Sequence, residues 1–430
     1  MEKIINGDLI YEWLKDLFPI HRSLAGPGNR KTLRYLKSKN KLLRIKGFNS
    51  GLKVFDWKVV NEWSVKFAYI KNGNGKKILD YKDNNLHLVS FSQPLKKKCG
   101  LKELKKYLYT IPERKKSIPY VTSYYKKNSG FCSTHEFKSG LKEDNYEIVI
   151  DTKFKKGVMN YGEILIKGKS SKEILLTSNI CHPSLANNEL SGPCVLTAIS
   201  MWLQKQKNLK FSYRLIFIPE TIGSIAYIAK HFKKLRKDTI AGYVLTCIGD
   251  DNNYSYLKSR NGNTLSDRVA LKVLNKITNK PRVYSFTDRG SDERQFCSPK
   301  IDLPIGTLMR TKYREYKEYH TSDDNINFVS AKGLYGGYDY VKSCIQELEK
   351  TKLYVSNYLC EPFLSKKKLY SAISNINSKS VLPSKNLLNC ITYMDGKNDI
   401  DYLSSIFKID VSMIKKYIKI LEQNNIIQEI

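Results

Sequence analysis

The chain has 430 residues, 41% of them hydrophobic and 11% aromatic, so it is long enough for two or three domains with substantial cores. Lysine and arginine number 74 against 41 acidic residues, which gives a formal net charge of +33. Such a balance favours anionic partners, but the lysines are spread along the whole length. That distribution is more typical of a solvated lysine-rich surface than of a dedicated nucleic-acid-binding patch.

The cysteines and the apolar runs exclude other classes of protein. Nine cysteines are widely spaced and form no CxxC pair, which indicates reduced thiols and not a disulfide framework. The N-terminal stretch MEKIINGDLIYEWLKDLF carries acidic residues in an amphipathic pattern and does not look like a signal peptide. No apolar run approaches the roughly 20 residues of a membrane span. We therefore expect a soluble, cytoplasmic protein, and the sequence leaves its oligomeric state open.

The first part of the chain changes from a helical to a β-type pattern. Residues 8–19 and 29–45 are amphipathic and predict two helices, separated by HRSLAGPGN with its Gly-Pro-Gly break. From residue 53 to about 145 the sequence shows short β-type runs with turn residues between them, including VFDWKVV, KFAYI, KKILDY and LHLVSFS. We predict a β-rich inserted domain over residues 53–145.

After the insert, apolar strands alternate with helical segments. The predicted strands are YEIVIDTKF, GEILIKG, EILLTSNI, YRLIFIP, IAGYVLTCIG and DLPIGTLM, and the predicted helices cover residues 192–204, 222–235 and 266–277. This alternation predicts an α/β domain built from residues 1–52 and 146–362. Sites in such domains form beyond the carboxyl ends of the strands.

Residues 366–430 are predicted to form a separate domain. Three helical segments, KNLLNCITYM, DIDYLSSIF and DVSMIKKYIKILEQNN, precede the apolar strand IIQEI, and Asp410 is a suitable N-cap for the third helix. Three helices and a short strand resemble a winged helix. Lys415, Lys416 and Lys419 could meet phosphates, so nucleic-acid binding through this domain stays open. In a chain so rich in lysine, these three residues favour it only weakly.

Four residues of metal-ligand type follow predicted strands. His182 comes after EILLTSNI, Glu220 after YRLIFIP, Asp250 after IAGYVLTCIG, and His320 after LMRTKYREYKEY. Their side chains can converge at one edge of the sheet, where two imidazoles and one or two carboxylates suit zinc with an open position for water. Each residue also has a structural alternative, either as a hydrogen-bonded histidine or as an acidic helix N-cap.

The motifs around these residues resemble a known superfamily. HPSLANNELSG, PETIGS, GSDERQF and EYHTSDDN together are similar to the motifs of the zinc aminopeptidase superfamily, which includes glutaminyl cyclases and the transferrin-receptor ectodomain. The opening FPIHRSLAG, the insert with YVTSYY and GFCSTHE, and the helical tail resemble more closely a bacterial aminopeptidase-like family with an inserted β domain and a C-terminal winged helix. Members of that family are often named for polysaccharide biosynthesis. The resemblance spans nearly the whole chain and implies an α/β fold with a mixed sheet flanked by helices.

The resemblance also implies roles for single residues. His182 and His320 would be metal ligands, Asp250 the acidic ligand, and Glu220 the general base or a ligand. In that arrangement one zinc ion, held by the two histidines and one carboxylate, activates a water molecule. The remaining carboxylate takes the proton, and Glu220 is our choice for this base.

The sequence departs from the superfamily pattern at two positions. Asn188 stands where a metal-bridging aspartate is expected, and Thr221 stands where a second glutamate usually follows the base. An amide oxygen coordinates zinc weakly and brings no charge to neutralise two cations roughly 3.5–4 Å apart, so we expect one zinc per chain. Glu189 is adjacent to Asn188, but a shift of one residue normally directs a side chain elsewhere. Arg294 and Arg310 are candidates for binding a substrate carboxylate, with structural salt bridges as the alternative.

Three functions stay open at this point. The first is a zinc-dependent, aminopeptidase-like hydrolase that cleaves an amide or peptide bond of a small molecule or peptide, in surface polysaccharide or small-metabolite biosynthesis. The second is a ligand-binding protein that has lost catalysis, as the missing bridging aspartate would permit. The third is a regulator whose enzyme-like domain senses a ligand and whose winged helix transmits the response.

Overall fold

The structure, a computed structural model, describes residues 4–369 and 384–430. The chain divides into two compact units, one ending at Cys344 and the other beginning at Ile345. Part of the tail predicted as a separate domain, residues 370–383, lies outside the described residues. None of the described helices is both long and apolar enough to cross a membrane.

The first unit contains most of the secondary structure. In chain order its strands are β1 (Arg44–Asn49), β2 (Lys53–Val54), β3 (Trp57–Lys58), β4 (Glu62–Lys71), β5 (Lys77–Asp80), β6 (Leu95–Gly100), β7 (Leu108–Tyr109), β8 (Phe131–Cys132), β9 (Asn145–Lys155), β10 (Val158–Ile166), β11 (Glu173–Asn179), β12 (Ser212–Ile218), β13 (Thr239–Leu245), β14 (Ser255–Leu257), β15 (Arg282–Tyr284) and β16 (Ile305–Met309). Its helices are α1 (Gly7–Leu17), α2 (Pro27–Lys39), α3 (Leu101–Leu104), α4 (His135–Gly140), α5 (Ser191–Gln204), α6 (Ile222–Asp238), α7 (Leu265–Ile277) and α8 (Glu293–Phe296), and α9 (Ala331–Lys350) begins in this unit and continues past Cys344.

Eight strands form one mixed sheet, in the order β1-β10-β12-β11-β13-β16-β14-β15. Strand β11 pairs in parallel with β12 and β13, and β13 pairs in parallel with β16, whereas β10 is antiparallel to β1 and β12. Every residue of β11, β12 and β13 is buried, as expected for parallel strands covered by helices on both faces. The predicted α/β class with a mixed, helix-flanked sheet is confirmed, and four neighbouring parallel strands end at one edge.

The second predicted helix is shorter than expected. It begins at Pro27, whose missing N–H suits the first helical position, and it ends at Lys39 and not at residue 45. Asn40 takes an extended conformation, and Arg44 enters strand β1 opposite Glu163 of β10. Pairing with the sheet therefore overrides the helical pattern at the end of this segment.

The residues between β1 and β10 form smaller sheets. One has four strands in the order β5-β4-β9-β6, and β2-β3 and β7-β8 are two-stranded pairs. Strand β9 pairs with β4 from Glu147 to Lys155, so the four-stranded sheet extends beyond residue 145. The predicted strand LHLVSFS does not form. Asn84 accepts a hydrogen bond from the Leu86 N–H and caps a 3-10 turn over Asn85–His87, and Leu88 and Ser90 form only isolated bridges. That residues 53–145 fold as a separable insert stays a prediction.

The second unit has three helices and a small sheet. Its elements are β17 (Leu353–Ser356), α10 (Ser384–Tyr393), β18 (Asp395–Asp399), α11 (Ile400–Phe407), α12 (Val411–Gln423) and β19 (Ile427–Glu429), and the strand order is β18-β17-β19. Asp410 caps α12 by accepting a hydrogen bond from the Ser412 N–H. The unit begins before residue 366 because β17 pairs with β19. Buried residues of all three helices form its core, among them Leu387, Leu403, Ile414 and Leu421.

Candidate active site

His182 and Glu220 follow two neighbouring parallel strands. Asn179 at the end of β11 lies opposite Ile218 at the end of β12, so the two loops leave the sheet side by side. The Nε2 atom of His182 is 3.7 Å from Oε2 of Glu220. The structure thus brings together two of the residues that the sequence places at strand ends.

The imidazole of His182 is held from behind by Glu189. The Nδ1 atom of His182 lies 2.6 Å from Oε2 of Glu189, and Oε1 of Glu189 accepts hydrogen bonds from the His182 N–H (2.9 Å) and the Cys181 N–H. Glu189 lies in the π-helical turn Ala186–Leu190, which turns its side chain toward the loop. A carboxylate on one ring nitrogen fixes the ring and leaves the other nitrogen for a ligand. Burial lowers the pKa of His182, but Glu189 and Cys181 together outweigh this, so the pKa lies well above its ordinary value.

His320 lies close to His182 on the same side of the sheet. The two ring centroids are 5.6 Å apart, and the Tyr120 ring contacts both imidazoles at 5.0 and 5.1 Å. Tyr319 stacks on His320 at 3.9 Å, and the backbone of His320 is in the left-handed region with φ of 55°. Burial and the neighbouring His182 lower the pKa of His320 to about 3. His320 is therefore a neutral imidazole, the form that binds metals.

Asp250 has a structural environment. Its buried carboxylate accepts hydrogen bonds from the Asn187 side chain (2.9 Å), the Asn252 N–H (2.9 Å), the Thr311 N–H (3.0 Å) and the Thr311 hydroxyl (2.6 Å). A carboxylate has about four lone-pair positions, and these donors occupy them. We therefore do not retain Asp250 as a metal ligand.

Asn188 has an open acceptor at its side chain. Its backbone is bonded at both ends, since its N–H donates to Asp324 (2.9 Å) and its carbonyl accepts from the Thr246 hydroxyl (2.8 Å). The side-chain oxygen is buried and finds no hydrogen-bond partner within the described part of the chain. The side-chain nitrogen is 3.9 Å from the sulfur of Cys247. Sequence reasoning missed Cys247, although it follows the end of β13 more closely than Asp250 does.

Thr221 marks a strained start of α6 beside the base. Its φ of 64° is unusual for a β-branched residue, and such strain is concentrated at functional sites. Its N–H donates to Asp292 (2.7 Å), and its hydroxyl accepts from the guanidinium of Arg294 (2.9 Å). Burial, and next the charge of Glu220, raise the pKa of Asp292 to about 7. Arg294 is therefore close to the base, and Asp292 is a further acidic group that sequence reasoning missed.

Arg310 lies elsewhere. Its guanidinium carbon is 3.8 Å from the ring centroid of Tyr254, and the backbone N–H of Arg310 donates to the carbonyl of Cys247 (2.8 Å). It does not belong to the lining of the cavity described next, so its contacts support a structural role.

A cavity of about 190 Å³ opens beside His182 and Glu220. Its lining combines apolar side chains from the sheet region with three aromatic rings from residues 53–145. The lining residues are Leu24, Trp57, Tyr124, Tyr125, Cys181, His182, Glu220, Thr221 and Ile222. Trp57 and Tyr125 meet edge to face at 5.3 Å, and Tyr125 is 53% exposed, which leaves this wall open to a ligand.

The resemblance implies zinc. The groups near Nδ1 of His182 and those near its Nε2 differ in how well they suit a zinc ion. Among the described residues, Cys181, His182 and Glu189 are the one set of three ligand-type side chains whose atoms all lie within 4.8 Å of one another. The oxygens of Glu189 are already used by two backbone N–H groups and by Nδ1 of His182. By contrast, Nε2 of His182 does not contact Glu189, and the neutral imidazole of His320 lies near the His182 ring. His182, His320 and Glu220 are less closely grouped, but their chemistry fits one ion.

The chain is similar to several known proteins. A family model described as a domain of unknown function (DUF4910) matches residues 11–351, and a winged helix-turn-helix model matches residues 352–429. A Clostridium acetobutylicum protein named for polysaccharide biosynthesis, with an aminopeptidase-like domain, is 42% identical over 404 residues, which is 93% of this chain and 92% of that protein. These matches confirm the winged helix that the sequence of the tail predicts.

Two solved structures share the fold. A Clostridium acetobutylicum protein with a provisional peptidase name gives a TM-score of 0.79 at 38% identity, covering 99% of this chain and 96% of its own. A zinc aminopeptidase from Bacillus subtilis gives a TM-score of 0.58 at 14% identity, covering 81% of this chain and 96% of its own. At that identity the second likeness shows the fold alone, which is the aminopeptidase-like fold predicted from the motifs.

Proposed function

Because the chain belongs to the family described as a domain of unknown function (DUF4910), with a winged helix-turn-helix unit after it, we propose a function from its own residues. We propose a hydrolase of the aminopeptidase type that cleaves an amide or peptide bond with one zinc ion. The observation that carries the proposal is the 3.7 Å approach of His182 Nε2 to Glu220 Oε2 at the wall of a cavity. The aminopeptidase-like domain in the name of the 42% identical relative supports it.

The proposed ligands are His182 and His320, with the open side-chain oxygen of Asn188 as a weak third. Glu189 directs Nε2 of His182 away from its own carboxylate, and burial keeps His320 neutral. At His320, burial favours metal binding over protonation. At His182 the raised pKa favours protonation, so zinc has to displace a proton there. When bound, zinc supplies a Lewis acid that polarises a carbonyl oxygen and lowers the pKa of a water molecule. One ion is proposed because neither Asn188 nor Thr221 brings the carboxylate that a second ion would need.

Glu220 is the proposed general base. It stands at the start of α6 with its carboxylate facing His182, and burial raises its pKa above the ordinary value. A base whose pKa is raised toward neutrality is better suited to take a proton during catalysis near pH 7. Arg294 lies beside Glu220 through Thr221, and we propose it as the group that binds a substrate carboxylate.

The cavity gives the substrate its expected character. Leu24, Ile222 and the insert aromatics Trp57 and Tyr125 form a largely apolar lining next to the base. Ligand sites of this type bind the apolar part of a small molecule and use a few polar groups to fix its orientation. We propose an apolar group next to the scissile amide, in a small molecule or peptide of polysaccharide or metabolite biosynthesis. A cytoplasmic location is part of the proposal because all nine cysteines are free thiols.

The test is hydrolysis of a panel of aminoacyl amides and acyl-sugar amides by zinc-loaded protein, with chelator-treated protein as the matched control. The proposal predicts turnover that disappears with the chelator and returns with zinc. Zinc-loaded protein that hydrolyses no member of the panel would favour the ligand-binding alternative, which the replacement of two carboxylates by Asn188 and Thr221 also supports.

A further inference from the structure

Arg22, in the segment FPIHRSLAG, is a buried charge that the proposed mechanism does not use. It is 0% exposed. Its Nε donates to the carbonyl of His182 (2.9 Å) and one terminal nitrogen donates to the carbonyl of Leu17 (2.7 Å). The other terminal nitrogen has no hydrogen-bond partner among the described residues. A buried guanidinium with so few bonds is costly unless an opposite charge lies near it.

Glu189, which accepts a hydrogen bond from the backbone N–H of the same His182, carries the opposite charge. Its side chain is 1% exposed, and it accepts hydrogen bonds from the N–H groups of Cys181 and His182 while it faces Nδ1 of His182. Burial lowers the pKa of Arg22 to about 10, and among the opposing influences the charge of Glu189 is the largest. The two charges therefore act on one residue from both sides. Glu189 binds the N–H and the ring of His182, and Arg22 binds its carbonyl.

We propose that Arg22 is a positioning residue of the candidate active site, which fixes the backbone of His182 and offsets the buried charge of Glu189. Nε2 of His182 then stays directed toward Glu220. Only the role of Nε2 as a zinc ligand rests on the proposed function. The contacts of Arg22 and Glu189 with His182 do not need a metal.

The proposal predicts that Arg22 and Glu189 are energetically coupled. Removing the guanidinium alone leaves a buried carboxylate without its counter-charge, which is more damaging than removing both charges. The losses in free energy of unfolding caused by Arg22→Met and by Glu189→Gln should therefore sum to more than the loss in the double variant. Arg22→Lys keeps the charge but lacks the planar fork that binds two carbonyls, so it should recover part of the loss.

The experiment measures three quantities on the full chain: the denaturation midpoint, the zinc dissociation constant, and the NMR resonance of the proton on Nδ1 of His182. His182→Asn identifies that resonance among the six histidines. Arg22→Met should weaken zinc binding by about 10- to 100-fold, the usual effect of removing a group that supports a ligand, and should move the resonance. Arg30→Met is the matched control, because Arg30 forms a bidentate pair with Glu62, and it should lower the midpoint without moving the resonance.

Additive losses in the double variant, together with an unmoved His182 resonance in Arg22→Met, would overturn the proposal. Should Arg22→Met fail to fold, Arg22→Lys and the double variant supply the same comparison. A wild-type protein that binds no zinc would defeat the proposed function, and the coupling and the resonance would still decide the role of Arg22.

Discussion

Nε2 of His182 lies 3.7 Å from Oε2 of Glu220, although helix α5 and strand β12 separate the two residues along the chain. Parallel pairing of β11 with β12 brings their loops together. A base and an imidazole this close can contact the same bound water molecule or substrate atom. Their substitutions should therefore separate the metal content of the protein from its turnover.

We predict at most one tightly bound zinc ion per chain. Asn188 and Thr221 supply no carboxylate for a second ion, and the oxygens of Asp250 are already hydrogen-bonded. Metal analysis of purified protein measures the ratio. Asn188→Asp should raise it if the side-chain position can bridge two ions, and two zinc ions per wild-type chain at full occupancy would contradict the prediction.

The aromatic wall of the cavity should determine which substrates bind. Trp57→Ala removes an apolar surface that lines the cavity, so the KM for an amide with a bulky apolar group should rise about tenfold, a loss of roughly 1.4 kcal/mol. The KM for a glycine amide should change little. Tyr335→Ala, at an exposed tyrosine that does not line this cavity, is the control. Equal effects of Trp57→Ala on both substrates would count against the prediction.

Asp292 should make the metal-free protein less stable as pH rises. Burial and Glu220 raise its pKa from 3.8 to about 7 in the folded state, so the folded protein holds a proton that the unfolded chain releases. The contribution of Asp292 to the free energy of unfolding should therefore fall between about pH 4 and pH 7. Urea denaturation with a chelator present measures this slope in the wild type and in Asp292→Asn. Over this pH range the free energy of unfolding of the variant should fall less, or rise more, than that of the wild type, and identical slopes would show that Asp292 does not carry this effect.

Residues 53–145 should tolerate deletion better than an equal length of the main sheet. Their strands pair in a four-stranded sheet that β9 completes and in two-stranded sheets, apart from the eight-stranded sheet. Limited proteolysis should release a protected fragment with ends near residues 53 and 145–155. The absence of any protected fragment with such ends would contradict a separable insert.

The sequence predicts the central strands correctly because their local apolar pattern and their burial in the folded protein agree. EILLTSNI and YRLIFIP are continuous apolar runs, and both are fully buried parallel strands. The helix that periodicity predicts over residues 29–45 is too long, because pairing of Arg44 with β10 is a non-local contact that periodicity does not report. Local patterns therefore predict the type of an element better than its ends.

In the candidate site, too, some features follow from the sequence pattern and others depend on local geometry. The convergence of His182 with Glu220 follows from strand order, which an alternating α/β pattern makes predictable. The sequence does not predict Glu189 as the partner of His182. One residue after Asn188, its side chain is expected to point away from the site, but the π-helical turn over Ala186–Leu190 directs it inward. Asp250 was placed by its distance from a strand, and only the contacts of Thr311 show that its carboxylate is already satisfied.

The central claim is tested most directly by measuring zinc content and amide hydrolysis together in Glu220→Gln and His320→Ala. Glu220→Gln keeps the shape of the base but cannot take a proton, so it should retain zinc and lose on the order of 10²–10⁴ in turnover. His320→Ala should lose zinc and turnover together. Full hydrolysis by Glu220→Gln, or unchanged zinc content in His320→Ala, would contradict the account.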